Sequence, residues 1–115
     1  MAFVEYSRSR TNIPSNYIRI SQFSLRLSSE LWEEMGSPKR VKLFYEEETR
    51  KVGMMKTETG GLAINSKTLS RPTKEITIRK FLEFFKIQLD NPMDCKVEIP
   101  NTSIWTFSLL KGIPV

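Results

Sequence analysis

Two stretches of this chain follow the same local pattern. Residues 23–48, FSLRLSSELWEEMGSPKRVKLFYEEE, and residues 75–100, EITIRKFLEFFKIQLDNPMDCKVEIP, each run from an alternating apolar segment into a helical pattern, a stop and a second alternating segment. Leu27 and Ile78, and Leu31 and Leu82, correspond at a constant offset of 51 positions. A strand, a short helix and a hairpin leave one apolar face uncovered, and a unit of that size is too small to offset its own backbone entropy. Two such units covering each other solve the problem. The repeat therefore predicts an α+β fold in which two strand-helix-hairpin units, 17–56 and 75–111, interlock into a small sheet or barrel with two short helices at its ends or on one face.

The local signals fill in this plan. Residues 1–16 are polar and basic with an Ile13-Pro14 break, and read as a flexible N-terminal arm ahead of a single domain over 17–115. YIRIS and FSLRL alternate as a half-buried strand does, giving two short strands or one bent one. Ser28 or Ser29 can cap the first helix, Glu30, Glu33 and Glu34 suit its positive end, and Gly36 and Pro38 stop it after about two turns. RVKLFY and KVGMMK flank the polar turn EEETR as a hairpin. Residues 57–74 form a polar connector with a brief apolar center, LAI, that suits an edge strand. In the second unit Ile78, Phe81, Leu82, Phe85 and Leu89 fall on one helical face, Asp90-Asn91-Pro92 ends the helix, and CKVEI and SIWTFSLL make a second hairpin.

Several chemistries drop out. The chain has no histidine and one cysteine, so neither a Ser-His-Asp triad nor a Cys-His pair nor a common zinc site can be assembled. No GxGxxG or GxxxxGK[ST] occurs, and Gly60 and Gly61 read as a loop. Cys95 begins a strand and reads as a structural thiol. Glu46, Glu47 and Glu48 could be taken for a hard-cation site, but adjacent turn residues splay apart, whereas cation loops space their ligands at alternate positions around a glycine. With Arg50 and Lys51 beside them they read as a solvated hairpin tip. Asn101-Thr102-Ser103 fits a glycosylation sequon but reads as a turn. No apolar run is long enough to span a membrane, and MAFVEYSRSR lacks the pattern of a signal peptide, so the expectation is a cytoplasmic protein without membrane contact. No catalytic residue, metal ligand or cofactor is expected, and the protein does not read as an enzyme.

The first unit resembles a known family. SSELWEEMGSPKRVKLFYEEETRKVGMMK is similar to the AbrB-type swapped-hairpin transition regulators and antitoxins, whose unit is a strand, a short helix with the pattern E-L-x-x-x-L-G, and a hairpin. Glu30-Leu31 and Met35-Gly36 match that helix and its stop, and VKLFYEEETRKVGMMK matches the hairpin. The resemblance covers residues 17–56. The chain departs from the family in reading SQFSLRLS where an Ile-Pro is usual, in carrying Glu33 and Glu34 where the helix is often basic, and in holding both units in one polypeptide. The resemblance implies DNA binding without assigning it to matched residues.

Charge adds an independent reason to expect nucleic acid. The net charge of +5 is distributed as +3 over 1–28, −3 over 29–48, +6 over 49–86 and −1 over 87–115. The richest stretch holds Lys67, Arg71, Lys74, Arg79 and Lys80, joined by Arg8 and Arg10 on the arm. Long basic side chains in a Ser/Thr-rich loop suit a phosphate backbone. Trp105 and Phe107 on the last strand lack neighbouring cations and read as core rather than as a base-stacking surface. Phe84 lies off the apolar stripe of its helix, where exposure would argue for a protein-binding face or a dimer contact. The expected function is a small non-enzymatic nucleic-acid-binding protein, a DNA-binding regulator or accessory factor. The alternative is a protein-interaction module, such as a small inhibitor or adaptor encoded by a phage or other mobile element.

Overall fold

The structure, a computed structural model, describes residues 13, 14, 16–67, 73–98 and 103–115. It is a mixed α+β domain with two short helices and two antiparallel sheets. In chain order the elements are β1 (Tyr17–Ile20), β2 (Ser24–Ser28), α1 (Ser29–Glu34), β3 (Arg40–Glu46), β4 (Lys51–Thr57), β5 (Leu62–Ala63), β6 (Asn65–Lys67), β7 (Thr73–Thr77), α2 (Arg79–Phe84), β8 (Met93–Lys96), β9 (Ile104–Ser108), a 3-10 turn (Leu109–Lys111) and β10 (Ile113–Pro114).

The first segment resolves into two strands, because Ser21 turns the chain: its amide donates to Ser24 O at 2.9 Å. β1 and β2 alternate as the sequence does, sending Ile18, Ile20, Leu25 and Leu27 into the core. Ser28 is the cap of α1, its hydroxyl accepting from the Leu31 amide at 3.1 Å. Gly36, at φ +93°, closes that helix with paired bonds from Gly36 N to Glu33 O and from Ser37 N to Trp32 O. This is the left-handed closure that glycine enters without a Cβ penalty.

α2 ends in the same way and earlier than its apolar pattern suggests. Lys86 takes φ +54°, Lys86 N bonds to Glu83 O, and Ile87 N bonds to Leu82 O. The helix therefore stops before Asp90-Asn91-Pro92, and Ile87 and Leu89 are buried from extended chain rather than from a helical stripe. The closures at Gly36 and Lys86 lie 50 positions apart, one fewer than the offset of the strand residues. As a result Ile78 occupies the cap position, and no side-chain oxygen caps α2.

Sheet topology differs from the expected single sheet or barrel. A six-stranded sheet has the order β10-β8-β1-β2-β7-β6, and a four-stranded sheet has β5-β3-β4-β9. Neither closes on itself. The turn through Gly36 and Pro38 carries the chain out of the first sheet. The β3–β4 hairpin then takes β5 on one edge and β9 on the other. Among the described residues the expected second hairpin does not form as a strand pair: β8 joins β1, β9 joins β4, and the two segments meet at one bridge, Glu98 to Thr106. The connector expected over 57–74 supplies β5 at LAI, as its apolar center suggested, and also β6, which pairs with β7.

One apolar cluster joins the sheets and helices: Ile18, Leu25, Leu27 and Ile76 from the first sheet, Val41, Val52, Met54 and Phe107 from the second, and Leu31 and Leu82 from the helices. Phe107 is buried and Trp105 half-buried against this cluster, as expected of core rather than of a stacking surface. Ile13, ahead of the first strand, is buried too. No helix among the described residues is long and apolar enough to cross a membrane.

Candidate nucleic-acid interface

Of the cations singled out in the sequence, the structure describes Lys67, Lys74, Arg79 and Lys80, which follow one another along β6, β7 and the start of α2. Arg8, Arg10 and Arg71 lie outside the described residues. Lys67 ends β6 opposite Thr73, and Ser66 is opposite Lys74, so the β6–β7 hairpin places Lys67 and Lys74 on adjacent strands. Arg79 and Lys80 open α2 at the other end of β7, roughly 16 Å from Lys74 at the usual strand rise. The basic edge thus has two ends.

Its members are in different environments. Lys74 shares the phase of Ile76 and Ile78, and its ammonium sits 4.2 Å from the center of the Trp32 ring. Trp32 is fastened from its other side by its indole N–H, which donates to Pro38 O at 2.8 Å. The cation is partly spent on holding α1 to the sheet. Arg79 and Glu83 form an i,i+4 pair at 3.5 Å with both side chains mostly exposed, a geometry that contributes little to stability and leaves the guanidinium accessible. Lys80 is exposed.

The first sheet carries two cations that the sequence did not single out. Asp94, Arg19, Arg26 and Glu75 stand in register on β8, β1, β2 and β7. Arg19 donates to both carboxylate oxygens of Asp94, from Nε at 2.8 Å and from an Nη at 3.2 Å, and Arg26 Nε is 3.2 Å from Glu75 Oε2. An acid flanks the row at each end, so each of the two adjacent arginines is offset by one. Period-two alternation could flag these residues, but which charge meets which depends on register.

Beside the basic end of α2 lies an aromatic cluster. Phe85 meets Tyr45 at 5.3 Å, Phe81 at 5.1 Å and Phe84 at 4.8 Å between ring centers, and Phe84 is 78% exposed. A cleft between the β1–β2 turn and α2 is lined by Phe23, Arg79, Leu82, Glu83 and Lys86 among others. α2 and its cap thus carry both cationic and aromatic groups, Arg79 and Lys80 at its start and Phe84 and Phe85 at its end.

The remaining chemistry is inert. Cys95 is buried, and burial first, with the Asp94 carboxylate second, pushes its thiol up to about 11, so the thiolate is scarce at neutral pH. Glu46 accepts from Thr49 Oγ1 at 2.6 Å in the hairpin turn. No group of three or more acidic or cysteine side chains among the described residues could hold a metal ion. Adding a chelator should leave the melting temperature unchanged; a clear drop in a thermal scan would overturn the reading of residues 46–48 as a solvated tip. In comparisons with known proteins the chain matches no family model, no curated protein and no solved structure.

Proposed function

We propose that this chain is a small non-enzymatic nucleic-acid-binding protein, a cytoplasmic DNA-binding regulator or accessory factor, that follows a phosphate backbone along β6, β7 and the start of α2. One observation carries the reading. From Lys67 to Lys80 the chain holds five cations against a single acid, Glu75, and the Glu75 carboxylate is engaged by Arg26. An edge with this balance attracts polyanions without reading sequence. Arg8 and Arg10 are assigned to the same polyanion in this reading on their charge alone.

The reading also takes the strand-helix segments as one unit used twice, in keeping with the resemblance to AbrB-type proteins. Two facts support it: Leu25 and Ile76, 51 positions apart, are direct partners in the β2–β7 pair, and both helices end in the same closure. The separation of β8 from β9 limits the repeat to strand and helix.

Fluorescence anisotropy with duplex and single-stranded DNA at low salt tests the function. Arg79→Glu and Lys80→Glu should weaken binding to every sequence about equally, and each should reduce the magnitude of the salt slope by about one. Lys74→Glu is the poorer probe, because it also removes the cation from Trp32. Glu33→Lys should leave binding intact or tighten it through the long-range field. Wild-type protein that binds neither DNA form at low salt would defeat the proposal.

A second reading, the protein-interaction module, is favoured by the exposure of Phe84. A phenylalanine that is uncovered beside Phe85 suits a docking face better than a solvated helix surface.

A further inference from the structure

The second sheet has a core face and an opposite face, and the opposite face has an ordered composition. On β3 the residues turned away from the core are Arg40, Lys42, Phe44 and Glu46, alternating with Val41, Leu43 and Tyr45. Register carries this face across the sheet in three rows: Lys42, Met55 and Ile104; Phe44, Gly53 and Thr106; Glu46, Lys51 and Ser108. Phe44 is 44% exposed and Ile104 36%, with Met55 half-buried beside Ile104 in its row. Gly53 lies under these side chains: a Cβ there would come within 3.0 Å of Ile104 Cγ2 and 3.6 Å of Phe44 Cβ. The face is thus an apolar strip centered on Phe44, with Lys42 to one side of it on β3 and, to the other, Glu46, which stands opposite Lys51 of β4.

Lys42 and Glu46 are equidistant from Phe44, two residues to either side along one strand and on one face. Lys42 has no ion-pair partner among the described residues. Glu46 is held outward by Thr49 and continued by Glu47 and Glu48 in the turn.

We infer that this face is a self-association surface, and that its occupant is the same face of a second copy of this chain. A two-fold contact is self-complementary, so every feature must meet its own image. Two orientations bring the strips face to face. An axis along β3 would set Lys42 on Lys42 and Glu46 on Glu46, and one along β4 would leave both charges unpaired over Ile104 and Ser108. An axis across the strands, through the Phe44 row, sets Lys42 over Glu46 twice, with Phe44 against Phe44 between them. Charge selects the second orientation. Sheets packed this way lie about 10 Å apart, close enough for a lysine and a glutamate to meet across the gap. Lys51, opposite Glu46 on β4, then lays its stem on Met55 of the other copy. The face belongs to the second sheet and the basic edge to the first, so variants on each test association and nucleic-acid binding separately.

Sedimentation equilibrium at low salt, up to several hundred micromolar protein, is the test, with circular dichroism melting to verify folding. Wild-type protein should dimerise reversibly. Lys42→Glu and Glu46→Lys should each weaken the dimer by about tenfold or more, since each creates two like-charge contacts per dimer. The double variant K42E/E46K should restore association to within about threefold of wild type, because every pair is again of opposite sign. Rescue is the decisive readout, since a merely structural role for either residue would make the losses accumulate. A monomeric wild type, a tighter K42E dimer, or a double variant weaker than both single ones would each overturn the proposal.

Discussion

Replacing Asp94 with alanine should lower the unfolding free energy by about 3–5 kcal/mol, the usual cost of removing one partner from a buried ion pair. Asp94 is 1% exposed, and the Arg19 side chain that it engages is 12% exposed. Their two-point contact lies on the first sheet with Arg26 directly opposite Arg19 on the next strand. Without the carboxylate, a mostly buried guanidinium would face a like charge, with Glu75 beyond Arg26 left in the row to offset it, and like charges directly opposite in a sheet repel. Urea unfolding followed by circular dichroism should report the loss as a lower midpoint with little change in slope. The double variant R19M/D94L, which removes both charges and keeps apolar bulk, should recover much of the deficit. If D94A proved neutral while folding remained two-state, the pair would be a surface contact in energetic terms, and the row would not be what orders β8 beside β1.

What was legible in the sequence was what depends on neighbours along the chain. The cap at Ser28, the stop at Gly36, the hairpin around residues 46–50 and the apolar phase of Leu25, Leu27 and Ile76 all follow from a few adjacent residues, and each is formed. Pairing between distant segments was not legible. Nothing local tells β8 to pair with β1 rather than with β9. The strands of a hairpin candidate can part when better edges exist, here the free edges of β1 and β4. The second helix ends earlier than the pattern suggests because Leu82, Phe85 and Leu89 are apolar at helical spacing, while the left-handed turn at Lys86, a residue with no special preference for it, gives no compositional signal.

The basic segment shows the same limit. Lys74 reads as one more solvated cation in a run of five, yet it is in phase with Ile76 and Ile78, and that alternation was the available hint that it faces inward. Its contact with Trp32 required knowing that α1 lies over that strand. Arg19 and Arg26 were read only for their contribution to net charge, because identifying their partners needs the register of four strands. Phe84 was the opposite case. Its displacement from the apolar stripe of α2 was enough to single it out, and it is the most exposed of the large apolar side chains described.

Phe107 and Phe84 give the sharpest contrast available in this chain, because the same substitution should have opposite consequences. Phe107 is 1% exposed, lies opposite Val52 in the β4–β9 pair and belongs to the cluster that joins the two sheets. Truncation to alanine removes a full aromatic side chain and leaves a cavity between elements that are held from both sides, so Phe107→Ala should cost about 3–5 kcal/mol. For a domain of this size that corresponds to a fall in melting temperature of roughly 10–20 °C. Phe84→Ala removes a ring whose main described contact is the edge of Phe85, and should change stability by no more than about 0.5 kcal/mol in either direction. A thermal scan of the two variants side by side measures both. If F84A destabilised the protein as F107A does, the α2 surface would be part of the fold's own packing, and the exposure that favours a docking face would lose its meaning. A stable F84A instead leaves that ring without a folding role, and any loss of partner binding in the variant then reports the interface itself.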